Sequence, residues 1–328
     1  MTEIITDIYA TYLNRPSVLT LGSFDGVHRG HQHLLNSVMA SARAQGAASI
    51  AVSLSPHPRH VLRPDVPLSL ISTLDERLNL LAQLGLDYVV VFPFTLEHSQ
   101  IPAREFAQLL VDHLHMAELQ CGPNFALGYK REGNIPYLRR LGAEMGFAVT
   151  IVEPRQFDEG IISSTRLRNL VSQGDIQTAT ALLGRYPTLR SLVVHGDHRG
   201  RTLGYPTANL NVPDKKIVPA NGIYAVRVRL GNQWLNGAAN IGIRPQFGGG
   251  PRRVEVYILD FDRDIYGQEM EVHFVERLRD EMKFESVQAL VDQMGRDVAQ
   301  ARAILTSLHV PPLKAALEET PNETVRRD

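Results

Sequence analysis

The sequence predicts a two-domain α/β protein, with a parallel sheet and crossover helices in the first half and a small antiparallel β-barrel with a C-terminal helix in the second. Three observations predict it. The 328 residues exceed what one hydrophobic core comfortably serves, and at about 150 residues per domain they make two. The first half alternates short β-branched runs with longer amphipathic segments, the pattern of βαβ units. From about Gly184 onward short strands separated by Gly-, Pro- and Asp-containing turns dominate, the spacing of a barrel.

Taken in order, strands are expected at 17–21, 49–54, 88–92 and 148–152. A helix is expected over 31–45, where Leu34, Leu35, Val38 and Met39 recur at helical spacing. A second, at 73–84, opens on a capping box, Thr73 three residues before Glu76; a third spans 103–115. A helix beginning near Asp175 is interrupted by Arg185-Tyr186-Pro187-Thr188, which puts the domain boundary between 186 and 187. Strands follow at 191–195, 222–230, 235–241, 254–261 and 270–277. The final helix, 286–304, carries Leu290, Val291, Met294, Val298 and Ala301 on one face and ends a second domain of 187–313. The stretch 314–328 is polar without periodicity and is expected to be disordered.

With 44% apolar and 21% charged residues the chain has the balance of a soluble globular protein. Its net charge of −1 supplies no global positive field for a polyphosphate backbone, so nucleic acid is not an expected partner. The most apolar run, 88–94, falls far short of the about 20 residues that cross a bilayer as a helix, so no membrane partner is expected. A single cysteine, Cys121, forms neither an intrachain disulfide nor a thiolate metal cluster, and the acids Glu3 and Asp7 deny the start a basic leader; both suit the cytoplasm.

Three segments carry chemistry. The first, Gly22-Ser23-Phe24-Asp25-Gly26-Val27-His28-Arg29-Gly30-His31-Gln32, runs from a strand through glycines into a helix, which aims backbone N–H groups and a helix N-terminus at an anion. No Walker lysine follows. His28 and His31 flank Gly30 and can donate hydrogen bonds to phosphate oxygens as charge builds in a displacement; a metal site from His28, His31 and His33 and a purely structural loop are the rival readings. The second, Ile162-Ser163-Ser164-Thr165-Arg166-Leu167-Arg168, offers Ser163 or Ser164 as a helix cap facing phosphates and Arg166 or Arg168 as a bidentate guanidinium. The third, from His195 to Asn209, has Gly196, Gly200 and Gly204 for close packing about a nucleotide, with Arg201 beside them. Thr207 can present its hydroxyl to Mg²⁺ beside phosphate oxygens, and Asn209 has both a carbonyl and an amide for the same task.

Together these strings resemble the bacterial bifunctional riboflavin kinase and FMN adenylyltransferase family, also called FAD synthetase. His28-Arg29-Gly30-His31 is similar to the nucleotidyltransferase superfamily signature, and the longer string from Gly22 to the flavin branch. The resemblance implies nucleotide or phosphate binding by Gly22, Phe24, Asp25, Gly26, Gly30, Ser163, Ser164, Thr165 and Arg166, with His28, His31 and Arg168 catalytic. Pro56-His57-Pro58 and Cys121-Gly122-Pro123-Asn124-Phe125-Ala126-Leu127-Gly128 resemble further family segments, which implies flavin binding at Pro56, His57, Asn124 and Phe125; Leu127 stands where an aromatic is usual. Gly200-Arg201-Thr202-Leu203-Gly204-Tyr205-Pro206-Thr207-Ala208-Asn209 resembles the flavokinase segment, and Val254-Glu255-Val256-Tyr257 its catalytic strand, implying Glu255 as the base; Tyr257 replaces a histidine, and Gln246 a threonine. The implied fold is a Rossmann-like nucleotidyltransferase domain at 1–186 followed by a β-barrel flavokinase domain. The implied partners are riboflavin, FMN and ATP with Mg²⁺. A nucleotidyltransferase for another phosphorylated acceptor and a catalytically idle flavin or nucleotide sensor are the alternatives.

Overall fold

The computed structural model describes residues 1–157, 160–196, 200, 203–242 and 252–307. Its contacts divide the chain into two compact units, Met1–Ser164 and Thr165–Asp328. Arg201, Gln246 and the expected tail at 314–328 lie outside the described residues.

The first unit is built on a six-stranded sheet in the order β1 (Glu3–Ile5), β4 (Tyr88–Pro93), β3 (Ala48–Ser55), β2 (Ser17–Gly22), β5 (Met116–Cys121), β8 (Ala148–Ile151), with every pairing parallel. Crossover helices bury both faces, which is why β2 and β3 are buried along most of their length, small polar residues such as Ser17, Thr20 and Ser53 included. On one face Val18 packs with Val38 and Ala42 of α1 (Arg29–Gln45). On the other, Leu19, Ile50 and Leu119 meet Phe106, Leu110 and Leu114 of α4 (Ala103–Leu114) and Leu138 and Leu141 of α5 (Ile135–Met145). The short α2 (Pro58–Leu62) and then α3 (Leu74–Gln83) lie between β3 and β4, and two short pairs, β6 (Ala126–Leu127) with β7 (Gly133–Asn134) and β9 (Gln156–Phe157) with β10 (Gly160–Ile161), complete the described strands of this unit. The expected capping box is present: Thr73 Oγ1 accepts from Glu76 N and Thr73 N donates to the Glu76 carboxylate.

β5 was not among the expected strands. It carries Glu118 and Gln120 on a buried face, where polar residues break the apolar pattern that marks a strand. Their burial is compensated locally: Glu118 accepts from Ser41 Oγ at 2.7 Å, Gln45 Nε2 at 2.6 Å and Gln120 Nε2 at 2.9 Å. These hydrogen bonds hold the carboxyl below its usual pKa against the opposing effect of burial. Placing β5 beside β2 reverses the strand order there, because the chain steps from β2 to β3 and β4 on one side and then crosses to β5 and β8 on the other. Such a switch opens a crevice at the carboxyl ends of the strands.

The second unit contains α6 (Ser164–Gln173, its first residue at the division), α7 (Ile176–Leu183) and a closed antiparallel barrel in the order β11 (Thr188–Val194), β12 (Thr207–Leu210), β15 (Arg253–Ile258), β14 (Gln233–Gly242), β13 (Gly222–Leu230), β16 (Glu269–Arg279). Val226, Val228, Val256, Ile258, Val272 and Phe274 fill it, together with Ile176 from α7. By contact, therefore, α7 belongs with the barrel. The last helix, α8 (Val287–Thr306), packs on β13 and β14 through Ala301 and Leu305. The expected stripe at Leu290, Val291, Met294 and Val298 is only half-buried. Instead the buried Asp297 anchors α8, accepting from Arg279 Nε at 2.8 Å and Arg279 Nη2 at 2.6 Å.

Outside the barrel, Glu271 joins Arg229 at 2.6 Å and His273 at 2.7 Å, while the His273 ring lies 4.9 Å from that of Trp234 and the Arg227 guanidinium 5.8 Å from the same indole. Burial raises the Glu271 pKa, but the His273 hydrogen bond and the charges of His273 and Arg229 outweigh it, and the value falls from 4.5 to about 2. A depressed carboxylate pKa stabilises the fold above the unfolded value, and that contribution is lost as pH falls toward the folded one. Glu271→Gln should therefore be less stable than the parent at neutral pH, with the difference shrinking between pH 4.5 and about 2. Urea unfolding of both proteins across that window measures this; a constant difference would show that the carboxylate's charge is not what stabilises the barrel.

Candidate functional site

The loop after β2 enters α1 at the switch of strand order. His28 is the N-cap of α1, and its Nδ1 accepts from His31 N at 3.2 Å. With Nδ1 accepting, a neutral His28 carries its proton on Nε2, a donor suited to a phosphate oxygen. The His31 ring stacks on that of His28 at 3.6 Å and 17°, and Phe24 meets His31 edge-on at 5.3 Å. Phe24 is buried and its ring would touch a Cβ at Gly22 at 3.3 Å. It shims the loop from beneath. No acid occupies the first turn of α1, so its positive N-terminal end is uncompensated by the helix itself.

Asp25 is also inside. Its Oδ1 accepts from Ile71 N and Ser72 N, both at 3.0 Å, and its Oδ2 from Ile71 N at 3.1 Å. That geometry makes it a positioning residue for the loop. Gly26, at φ +80°, has no room for a side chain, since a Cβ would lie 2.7 Å from Ile71 Cγ2. Gly30 brings the second segment close: a Cβ there would meet Ile162 O at 3.3 Å, and Ser164 Oγ donates to Asp25 O at 3.1 Å. Ser163 and Ser164 thus stand beside the His28 loop, whereas Thr165, Arg166 and Arg168 continue along α6 in the second unit.

The flavin-binding candidates lie at the same carboxyl edge of the sheet. Pro56 and His57 follow β3, and His57 caps α2 by accepting from Arg59 N at 3.1 Å. Asn124 and Phe125 follow β5; Asn124 is exposed and Phe125 packs against the core. Leu127, in β6 (Ala126–Leu127), is buried in that core, so the aliphatic side chain takes an interior place. One basic pair was missed in the sequence. Burial lowers the Arg29 pKa, and the charge of Arg155 lowers it further. Arg29, the first residue of α1 and the second of the His28-Arg29-Gly30-His31 string, is thus a further cation at the start of that helix.

The second site is on the barrel. Thr207 and Asn209 point to the outer face of β12, alternating with the inward Ala208 and Leu210. Register places Asn209 directly opposite Glu255 and Thr207 opposite Tyr257 on β15, while Asn240 of β14 pairs with Glu255 from the far side. Tyr257 meets Tyr205 edge-on at 5.3 Å. The loop geometry needs its glycines: a Cβ on Gly196 would lie 2.2 Å from Asn209 Nδ2, one on Gly200 2.3 Å from Tyr205 O, and Gly204 sits at φ +82°. Beside Thr207 and Asn209 opens a cavity of about 210 Å³, walled by Pro206, Phe261, Asp264 and Tyr266. His195 stacks on Tyr266 at 3.9 Å. The wall after β15 was not singled out as a site in the sequence, where Phe261 read as the end of a strand; the structure ends that strand at Ile258.

Hard oxygen donors at Thr207 and Asn209, in a cradle that a Cβ at Gly196 would fill, fit a magnesium ion carried mainly by nucleotide phosphates. Among the described residues no cluster of three or more His, Cys, Asp or Glu could hold a metal unaided, and no helix is long and apolar enough to cross a membrane.

Comparison with known proteins agrees with this division. An FAD synthetase family model matches residues 11–166 and a riboflavin kinase family model residues 183–305. The chain is 35% identical over 295 residues to a bifunctional riboflavin kinase/FMN adenylyltransferase of Listeria monocytogenes, covering 89% of this chain and 93% of that one. It is 37% identical over 289 residues to the protein of the same name from Escherichia coli K12, covering 87% and 91%. A crystal structure from Streptococcus pneumoniae, described as a macrolide-efflux protein, superposes with a TM-score of 0.82 at 33% identity over 92% of this chain and 98% of that one. Two family matches in the order of the two units, and identity over nearly the whole length of these relatives, place the chain in the bifunctional riboflavin kinase/FMN adenylyltransferase family.

Proposed function

We propose that the second unit phosphorylates riboflavin to FMN with ATP and that the loop after β2 serves adenylylation of that FMN to FAD. The observation that carries this reading is the presence of one phosphate-handling arrangement on each unit: His28 capping α1 at the strand-order switch, and Thr207, Asn209 and Glu255 in register on the barrel. In the kinase step the terminal ribityl hydroxyl attacks the γ-phosphorus, its proton passes to Glu255, and ADP leaves. Thr207 and Asn209 would hold magnesium with ATP, where the ion neutralises phosphate charge. The cavity beside them supports a nucleotide there. In the adenylyl step an FMN phosphate oxygen attacks the α-phosphorus and pyrophosphate leaves. A phosphate is already ionised near neutral pH, so no general base is required. His28 and His31 stabilise the developing charge, with Ser163, Ser164 and Arg29 about the phosphates. The cytoplasm suits a chain whose single thiol, Cys121, is buried and pushed up to about 11.

Incubation of the chain with riboflavin, ATP and Mg²⁺ should give FMN first and FAD with pyrophosphate second; a chain that makes neither product is not this enzyme. His28→Ala with His31→Ala should reduce FAD formation by about 10²- to 10³-fold or more while FMN formation continues. Equal loss of both activities in a folded double variant would refute the assignment of one site per reaction.

Glu255→Gln keeps shape and hydrogen bonding but cannot accept the hydroxyl proton, so riboflavin phosphorylation should fall by roughly 10²- to 10⁴-fold with adenylylation of supplied FMN unchanged. Retention of a third or more of the kinase rate at saturating substrates removes Glu255 from the mechanism.

The functional boundary between 186 and 187 remains our reading. A fragment from Pro187 onward should phosphorylate riboflavin alone. One from Thr165 should do so and unfold at higher temperature, because it retains α7 and the burial of Ile176, about 1.5–3 kcal/mol for a fully buried side chain of this kind. Calorimetry and product analysis of the two fragments decide this, and an inactive but folded Pro187 fragment places the boundary earlier.

A further inference from the structure

Beneath the His28 loop lies a guanidinium that the chemistry above does not use. Arg77, on α3, is 3% exposed. Its Nη1 donates to the carbonyl of Ser23 and, at 3.4 Å, to that of Leu54. Ser23 is the first residue after β2 and Leu54 the last but one of β3, so a single nitrogen gathers two carbonyls where neighbouring parallel strands end. The same loop is tied to the start of α3 a second time, because Asp25 accepts from Ile71 N and Ser72 N just ahead of the Thr73 cap. Asp25 also supplies charge: burial lowers the Arg77 pKa and the Asp25 carboxylate opposes that shift.

Beside those two ties the backbone is strained. Phe24 and Val27 both carry side chains at positive φ, +45° and +40°, a conformation that persists only where its surroundings over-determine it. Arg77 is moreover a poor choice for packing alone, since its Nε is buried with no hydrogen-bond partner, and an apolar side chain of similar length would avoid desolvating a charge.

We propose that Arg77 is a positioning residue for adenylyl transfer, holding the Ser23 end of the strained loop so that His28 and the α1 N-terminus present one fixed geometry to the phosphates. The inference rests on the reading that this loop carries the adenylyl step. Arg77 touches no reacting atom; its effect is on orientation, and a misplacement of about 1 Å can cost about 10²-fold in rate.

The test is steady-state kinetics of Arg77→Met, Arg77→Gln and Arg77→Lys in the full chain, with riboflavin phosphorylation as an internal control and thermal unfolding to establish folding. Arg77→Met should lower kcat for FMN adenylylation by about 10²-fold, with KM for FMN and ATP within threefold and the kinase rate unchanged. Arg77→Lys, which restores a cationic donor, should recover kcat to within about fivefold of the parent. If the methionine variant does not fold, Arg77→Gln replaces it and should lose tenfold or more in kcat. A folded Met or Gln variant within threefold of the parent kcat, a loss confined to KM, or a Lys variant no better than Met overturns the proposal. A parent chain that makes no FAD from supplied FMN refutes the underlying reading instead.

Discussion

Because β2 has β3 on one side and β5 on the other, and the chain reaches these neighbours through helices on opposite faces of the sheet, the loops that follow β2 and β5 part from each other. The start of α1 stands at that gap, capped by the His28 side chain. The rest of the first unit answers to this geometry. Gly26 and Gly30 are small because Ile71 and Ile162 come within contact distance, Asp25 turns inward to fasten the loop, and Glu118 binds the far end of α1 to β5.

The barrel solves a different problem. Closure leaves no strand free to slip, so the period of two along each strand decides every side chain's face. Val254, Val256 and Ile258 go inward with the core and Glu255 and Tyr257 outward, and the pairing with β12 sets Asn209 across from Glu255. The chemistry therefore lies on a surface whose geometry is determined by apolar packing on the other side of the same strands. The glycines of the 196–204 loop complete the arrangement by letting backbone come close to Asn209 and Tyr205.

Much of this was legible in the residues. The Thr73 capping box, the alternation around Glu255 and the glycine-rich entry to α1 each carry a local pattern with one physical meaning, and each is realised. β5 was hidden because Glu118 and Gln120 occupy buried positions, and only their partners on α1 make such a strand intelligible. The role of Asp25 was hidden for a similar reason: its partners, Ile71 and Ser72, are 46 and 47 residues away in the chain. Arg77 has the look of an ordinary helical surface residue until α3 is set against β4 and β1, from where its guanidinium reaches the ends of β2 and β3. α8 shows the limit of periodicity, since of its expected stripe only Ala301 is fully buried and a buried carboxylate at Asp297 anchors the helix as well.

Trp234, the chain's single tryptophan, stands on β14, 44% exposed and in contact with His273 and Arg227. The sheet-based unit has no indole of its own. Selective excitation of indole emission consequently reports on the barrel alone, and the imidazole and guanidinium from β16 and β13 beside it make its surroundings change when β13, β14 and β16 separate. A protein with two catalytic halves thus carries an optical label on one of them, so that the melting of that half can be followed by itself in the intact chain without attaching a probe.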